Sequence, residues 1–145
     1  MQPRVGDGSF DFWLGKWVTS WKDGAGHSHK GSNVVLELDG SVRELFEGPS
    51  SPRRYVGVSL SEWNPDASVW EQEYWDNTSY HAFFRGGWAG DRFILDQVLG
   101  GGADEPKRRL VWHSVESDRM LWDYESSADG HAWSSTWHIA YRRTE

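Results

Sequence analysis

Several stretches of the chain set reactive side chains at the even spacing that a β-strand turns into a shared face. Glu44 falls between Val42 and Phe46, so on a strand its carboxyl would point the same way as two apolar neighbours. A carboxyl turned into an apolar interior has its pKa raised and becomes a candidate general base or acid. A place at the rim, or pairing with a cation near Arg43 or Arg109, is the alternative. Ser59 shares a face with Gly57 and Ser61, and Trp70, Gln72 and Tyr74 share another. Asp76 ends the same face, and the opposite face carries Glu71 and Glu73, which are far costlier to bury than one amide and one terminal carboxylate. Trp70, Gln72 and Tyr74 are therefore expected inside. A buried Gln needs partners: Gln72 and Tyr74 either satisfy each other or a water, or they orient a ligand.

Arg109 and His113 align with Val111, against Arg108, Leu110, Trp112 and Ser114. Burial is ambiguous there, and the expectation leans toward Arg109 and His113 inside. Trp122 and Tyr124 align with Met120 and Ser126 and could complete an aromatic wall opposite Tyr74. Trp133, Ser135, Trp137, Ile139 and Tyr141 form one expected inner face, which sends His138 outward. Glu44, Gln72, Tyr74 and Arg109 could together supply acid-base and orienting roles.

Other motifs fall short. Gly24-Ala25-Gly26 lacks the third glycine and the strand-to-helix setting of a nucleotide loop. His27-x-His29 puts two imidazoles on one face, but no third metal ligand is evident nearby. Gly57-Val58-Ser59-Leu60-Ser61 lacks the second glycine of a nucleophile elbow. No metal site is expected.

The elements that position these residues are short and separated by turn chemistry. Asp39-Gly40 between two alternating segments is a strong hairpin signal. Asn64-Pro65-Asp66, Asp76-Asn77-Thr78, Gly86-Gly87 with Gly90-Asp91, Gly100-Gly101-Gly102 and Ala128-Asp129-Gly130 supply further breaks. Strands are expected near 16–22, 28–38, 41–48, 54–63, 69–76, 80–87, 92–99, 107–115, 119–126 and 131–142. Ser9 before Phe10-Asp11-Phe12-Trp13-Leu14 could cap one helical turn. The pattern predicts an all-β, antiparallel up-and-down barrel of eight to ten strands with a short N-terminal helical turn, as one domain over residues 1–145.

Composition narrows the function classes. The chain has 145 residues, no cysteine, 11 tryptophans and a formal charge of −7. A thiol nucleophile, a thiolate metal site and a disulfide scaffold are excluded. The acidic balance argues against nucleic acid, and the basic clusters Lys107-Arg108-Arg109 and Arg142-Arg143 read as solvated strand ends. No uninterrupted apolar run approaches a membrane span and the first residues lack a signal-peptide core; a cytoplasmic protein without membrane contact is expected.

The segment Phe10-Asp11-Phe12-Trp13-Leu14-Gly15-Lys16-Trp17 carries a Gly-x-Trp ahead of the first strand, and Trp133 to Arg143 forms a last strand ending in arginine. Together these resemble the calycin arrangement of lipocalins and fatty-acid-binding proteins, in which the first-strand Trp packs at the closed end against a basic residue of the final strand. Trp17 with Arg143 or Arg142 would be that pair. Through Trp70 to Asn77 and Ser126 to Trp133 as well, the chain is similar over nearly its whole length to an uncharacterised bacterial family of lipocalin-like domains. That resemblance implies a fold and no catalytic residues. Haem-binding relatives of such barrels use a late-strand histidine, for which His113, His131 and His138 are the candidates here.

The expected function is binding of a small hydrophobic or aromatic molecule in a Trp-rich cavity, as carrier or sensor and without a cofactor. A cofactor-independent isomerase, cyclase or hydrolase is the alternative, with Glu44 the candidate catalytic residue, and haem binding is the second. The ligand-binding set is Glu44, Ser59, Trp70, Gln72, Tyr74, Arg109, His113, Trp122, Tyr124 and Trp137. Trp17, Trp21, Trp70, Trp122, Trp133 and Trp137 are expected inside; Trp63, Trp75 and Trp88 are expected at rims or interfaces, where a homodimer is the simplest use.

Overall fold

The computed structural model describes residues 6–49, 54–98 and 106–144. A 3-10 turn at Asp11–Trp13 precedes ten strands: β1 (Gly15–Lys22), β2 (Ser28–Leu38), β3 (Ser41–Glu47), β4 (Val56–Asn64), β5 (Val69–Asp76), β6 (His81–Ala89), β7 (Arg92–Gln97), β8 (Lys107–His113), β9 (Arg119–Ser127) and β10 (Ser134–Arg143). Each strand pairs antiparallel with its sequence neighbour, and β1 pairs with β10 to close the barrel. The expected architecture is thus found at the upper end of its strand range. The Gly100-Gly101-Gly102 break lies outside the described residues.

Local chemistry accounts for the ends of these strands. Leu38 pairs with Ser41 across a two-residue turn in which Asp39 (φ 52°) and Gly40 (φ 81°) both take positive φ, the geometry that Asp-Gly favours in a hairpin. Closure of the barrel removes free sheet edges.

One end of the barrel is plugged. Phe10 stacks on Trp13 and Phe93 at centroid distances of 4.8 and 4.3 Å and meets Trp70 and Trp112 edge-on at 5.4 and 5.2 Å. These five rings are all essentially inaccessible to solvent. Hydrogen bonds fasten the plug: Trp70 Nε1 donates to Ser9 Oγ at 3.0 Å, and Trp88 Nε1 donates to the Ser9 carbonyl at 2.8 Å. Trp63 packs against Trp70, whereas Trp75 and Trp88 keep 40% and 43% of their surface exposed.

The seam between β1 and β10 is locked at the same end. Trp17 is in register with Arg143, whose guanidinium carbon lies 4.1 Å from the Trp17 ring centroid. Arg143 also donates from Nη1 to the Leu14 carbonyl at 2.6 Å and from Nη2 to the Phe12 carbonyl at 3.2 Å. Gly15 has φ +132°, and a side chain there would collide with Arg143 Nη1. The Gly-x-Trp spacing therefore has a mechanical cause: glycine makes room for the arginine that covers the tryptophan.

The last strand departs from simple alternation. A register shift separates the pairs Ser135 with Glu125 and Trp137 with Tyr124, leaving Thr136 as the extra residue of a β-bulge. Beyond the bulge Trp137, Ile139 and Tyr141 face inward. Before it the faces are exchanged, so Ser135 hydrogen-bonds the outward Asp123 and Trp133 lies outside against Arg109. The expectation that Trp133 and Ser135 point inward is corrected by this one residue.

Candidate functional site

Above the plug the barrel holds a cavity of about 300 Å³, lined mostly by rings: Phe46, Tyr55, Tyr74, Tyr80, Phe84, Trp112, Trp122, Tyr124, Trp137 and Tyr141, with Leu110 and Ile139. Its charged lining residues among the described ones are Glu44 and Asp76, and Gln72 and Thr78 complete the polar set. Strand alternation supplies this lining. Even-numbered residues of β5, β8 and β9 face in, and Glu44 and Phe46 of β3 do likewise. Exposed Thr78, in the β5–β6 turn, is where the lining reaches the surface, at the mouth end away from the plug.

Glu44 sits in a built environment. Its Oε1 accepts from Ser59 Oγ at 2.7 Å and its Oε2 accepts from Asn33 Nδ2 at 2.7 Å. Asn33 Nδ2 also donates to the Tyr141 hydroxyl at 3.0 Å, and Asn33 is fully buried. Burial pushes the Glu44 carboxyl up to about 7, against the opposing pull of the Ser59 and Asn33 hydrogen bonds. The group therefore changes charge near neutrality.

A second polar group lies nearer the mouth. The Tyr55 and Tyr74 hydroxyls are in hydrogen-bond contact with each other and lie 3.0 and 3.3 Å from Asp76 Oδ2, so two hydroxyl protons serve three contacts: one phenol donates to the carboxylate and the other to the carboxylate or to its neighbour. Burial raises both phenols above their ordinary range, so they stay neutral donors. Burial works against the Asp76 carboxylate, but hydrogen bonds from Thr78 and Tyr55 hold it below its usual value. The close approach requires glycine at position 57, where a side chain would strike the Tyr74 hydroxyl. Beside this group Tyr80, whose ring centroid lies 6.0 Å from that of Tyr74, shares a hydroxyl contact with Tyr124 at 2.9 Å.

Of the ten residues expected to bind ligand, the structure gathers six on this cavity: Glu44, Gln72, Tyr74, Trp122, Tyr124 and Trp137. Ser59 stands behind Glu44 as its hydrogen-bond donor. Trp70 faces inward but belongs to the plug. Gln72 finds its partner in Ser61, to which Nε2 donates at 3.0 Å, rather than in Tyr74.

Arg109 and His113 are corrections. Leu110 and Trp112 take the inner face of β8, and Arg109 and His113 point outward. Arg109 Nε donates to Glu125 Oε1 at 2.7 Å, and its guanidinium carbon lies 3.9 Å from the Trp133 ring centroid. The pattern was ambiguous because the outer face is covered too: outward Val111 is as buried as Trp112. Charge decides it, since two cationic or titratable side chains inside would each need a partner.

His113 Nε2 instead lies 2.6 Å from Asp123 Oδ2, and His138 Nδ1 lies 2.8 Å from Asp123 Oδ1, with Ser135 Oγ donating to the same oxygen at 2.6 Å. His113, Asp123 and His138 bring ligand atoms within 4.8 Å of one another, and among the described residues they are the group that could hold a metal ion. His27 and His29 both approach Asp23 at the β1–β2 turn. No histidine lines the cavity, so a haem inside it would find no axial imidazole among the described residues.

Residues not anticipated are Asn33, Tyr55, Tyr80 and Trp112; Asp76 was expected on the Gln72 face but without a role. Asn33 carried a usable signal, because it shares a strand face with Val35, and a polar residue on a buried face marks a network. No protein-family model matches the chain, and no curated protein matches it.

Proposed function

We propose that the protein is a lipocalin-like binder of a small, flat, uncharged aromatic or hydrophobic molecule, held in the barrel cavity as cargo or signal. The observation that carries this reading is the cavity lining: among the described residues aromatic rings surround two carboxyl groups, and the cation felt there is Arg108, which acts on Tyr80 from the end of β8. Fatty-acid carriers need a positive or strongly donating anchor for a carboxylate. Here an anionic ligand would meet Glu44 and Asp76 in a poorly screened interior. The volume suits two or three fused rings rather than a long acyl chain.

The test is titration with N-phenyl-1-naphthylamine, a neutral probe whose emission rises in apolar sites, beside the anionic 1-anilinonaphthalene-8-sulfonate. The expected outcome is saturable binding of the neutral probe, weaker binding of the anion, and loss of both in Thr78→Trp, which fills the mouth without touching the core. Equal binding by Thr78→Trp and the parent protein would remove the cavity from consideration. Glu44 on the cavity wall favours the second reading, catalysis, developed next.

A further inference from the structure

We propose, resting on the cavity reading, that the Glu44–Asn33–Tyr141 corner performs proton transfer at carbon on a cyclic ketone, moving a double bond into conjugation with the carbonyl. Three geometric facts support it. Asn33 Nδ2 bonds both Glu44 Oε2 and the Tyr141 oxygen, so one buried nitrogen holds a base and a hydroxyl within about 6 Å of each other. Each Glu44 oxygen accepts one protein hydrogen bond and retains a free lone pair. The Tyr141 oxygen accepts from Asn33, which leaves its own O–H to donate, and both side chains line the cavity.

The chemistry balances without a co-reactant. In a β,γ-unsaturated ketone, the Glu44 carboxylate removes a proton from the carbon between carbonyl and alkene. The C–H electron pair moves into the new C=C bond, and the carbonyl oxygen becomes an enolate oxygen. Tyr141 donates its hydrogen bond to that oxygen, where negative charge develops. Protonated Glu44 then delivers the same proton to the γ-carbon, giving the conjugated ketone and restoring the carboxylate. A base serves best when its pKa is near the working pH, and burial places Glu44 there. The titratable groups that line the cavity with Glu44 are Asp76, Tyr55, Tyr74, Tyr80, Tyr124 and Tyr141, and the cation near them, Arg108, acts on Tyr80 rather than on Glu44. Stabilisation of the enolate thus falls to hydrogen bonding.

Cyclohex-3-enone is the probe, with formation of the conjugated enone followed by its ultraviolet absorbance. The expected result is a rate above buffer whose kcat/KM rises with pH through about 7 as Glu44 ionises. Glu44→Gln should lower it by about 100-fold or more and Tyr141→Phe by about 10- to 100-fold, with near-ultraviolet circular dichroism reporting that each variant is folded. No acceleration by the parent protein, or equal rates with folded Glu44→Gln, overturns the proposal. Neutral-probe binding by the parent protein separates the two readings. Binding without turnover removes only the catalysis, and absence of binding removes the carrier function as well.

Discussion

Arg143 covers the face of Trp17 and, through the same guanidinium, ties down the two carbonyls that lead into the first strand. Replacing Arg143 by Met keeps much of the stem but removes the ring contact and the charged hydrogen bonds. The expected loss is about 2–4 kcal/mol in urea unfolding. Gly15→Ala should cost a similar amount, because it fills the space that the guanidinium occupies.

Glu44 makes stability depend on pH. Its folded-state pKa of about 7 lies above the ordinary 4.5, so the folded protein holds the proton more tightly than the unfolded chain. This contribution is fully present below about pH 4.5 and is lost as pH rises through 7. Between pH 5 and pH 8 the parent protein should lose on the order of 1–3 kcal/mol from this group. Melting curves of Glu44→Gln over that range should lack this component.

Gly57→Ala should disturb the mouth by pushing the Tyr74 hydroxyl away from Tyr55 and Asp76, at a cost of about 1–3 kcal/mol. The double variant Gly57→Ala with Tyr74→Phe removes the colliding oxygen. It should recover part of that loss, and a double-mutant cycle showing strict additivity would contradict the contact.

The outer His113–Asp123–His138 group is separate from the cavity. His113→Ala should leave neutral-probe affinity within about twofold, since the imidazole lies on the far side of the β8 wall. A large loss of affinity would return His113 to the binding site.

The architecture was legible because its signals are local. Asp39-Gly40 announces a hairpin by backbone chemistry, and the alternation in β5 sorts glutamates from rings by the cost of burying charge. The cavity was legible in part for the same reason: Glu44, Gln72 and Tyr74 stand on strands with one plainly buried face. Arg109 and His113 were misread because both faces of β8 are covered, which erases the contrast that alternation relies on. Trp133 was misread because a bulge exchanges the faces of β10, and nothing in Ser134-Ser135-Thr136 announces an extra residue. The tyrosine pair at the mouth depends on contacts across strands, which no single segment encodes.

The order of strands has a consequence in time. Every pairing from β1–β2 to β9–β10 joins neighbours along the chain, and only the Trp17–Arg143 seam joins its two ends. Loop-closure entropy makes that seam the costliest contact to form early, so the expectation is that the hairpins cross the folding barrier as a curled sheet and the seam zips afterwards. Interactions made after the rate-limiting step govern how quickly a protein comes apart rather than how quickly it assembles. Arg143 thus acts as a latch on the lifetime of the folded barrel, and its loss registers in the unfolding limb of a chevron while the refolding limb stays in place.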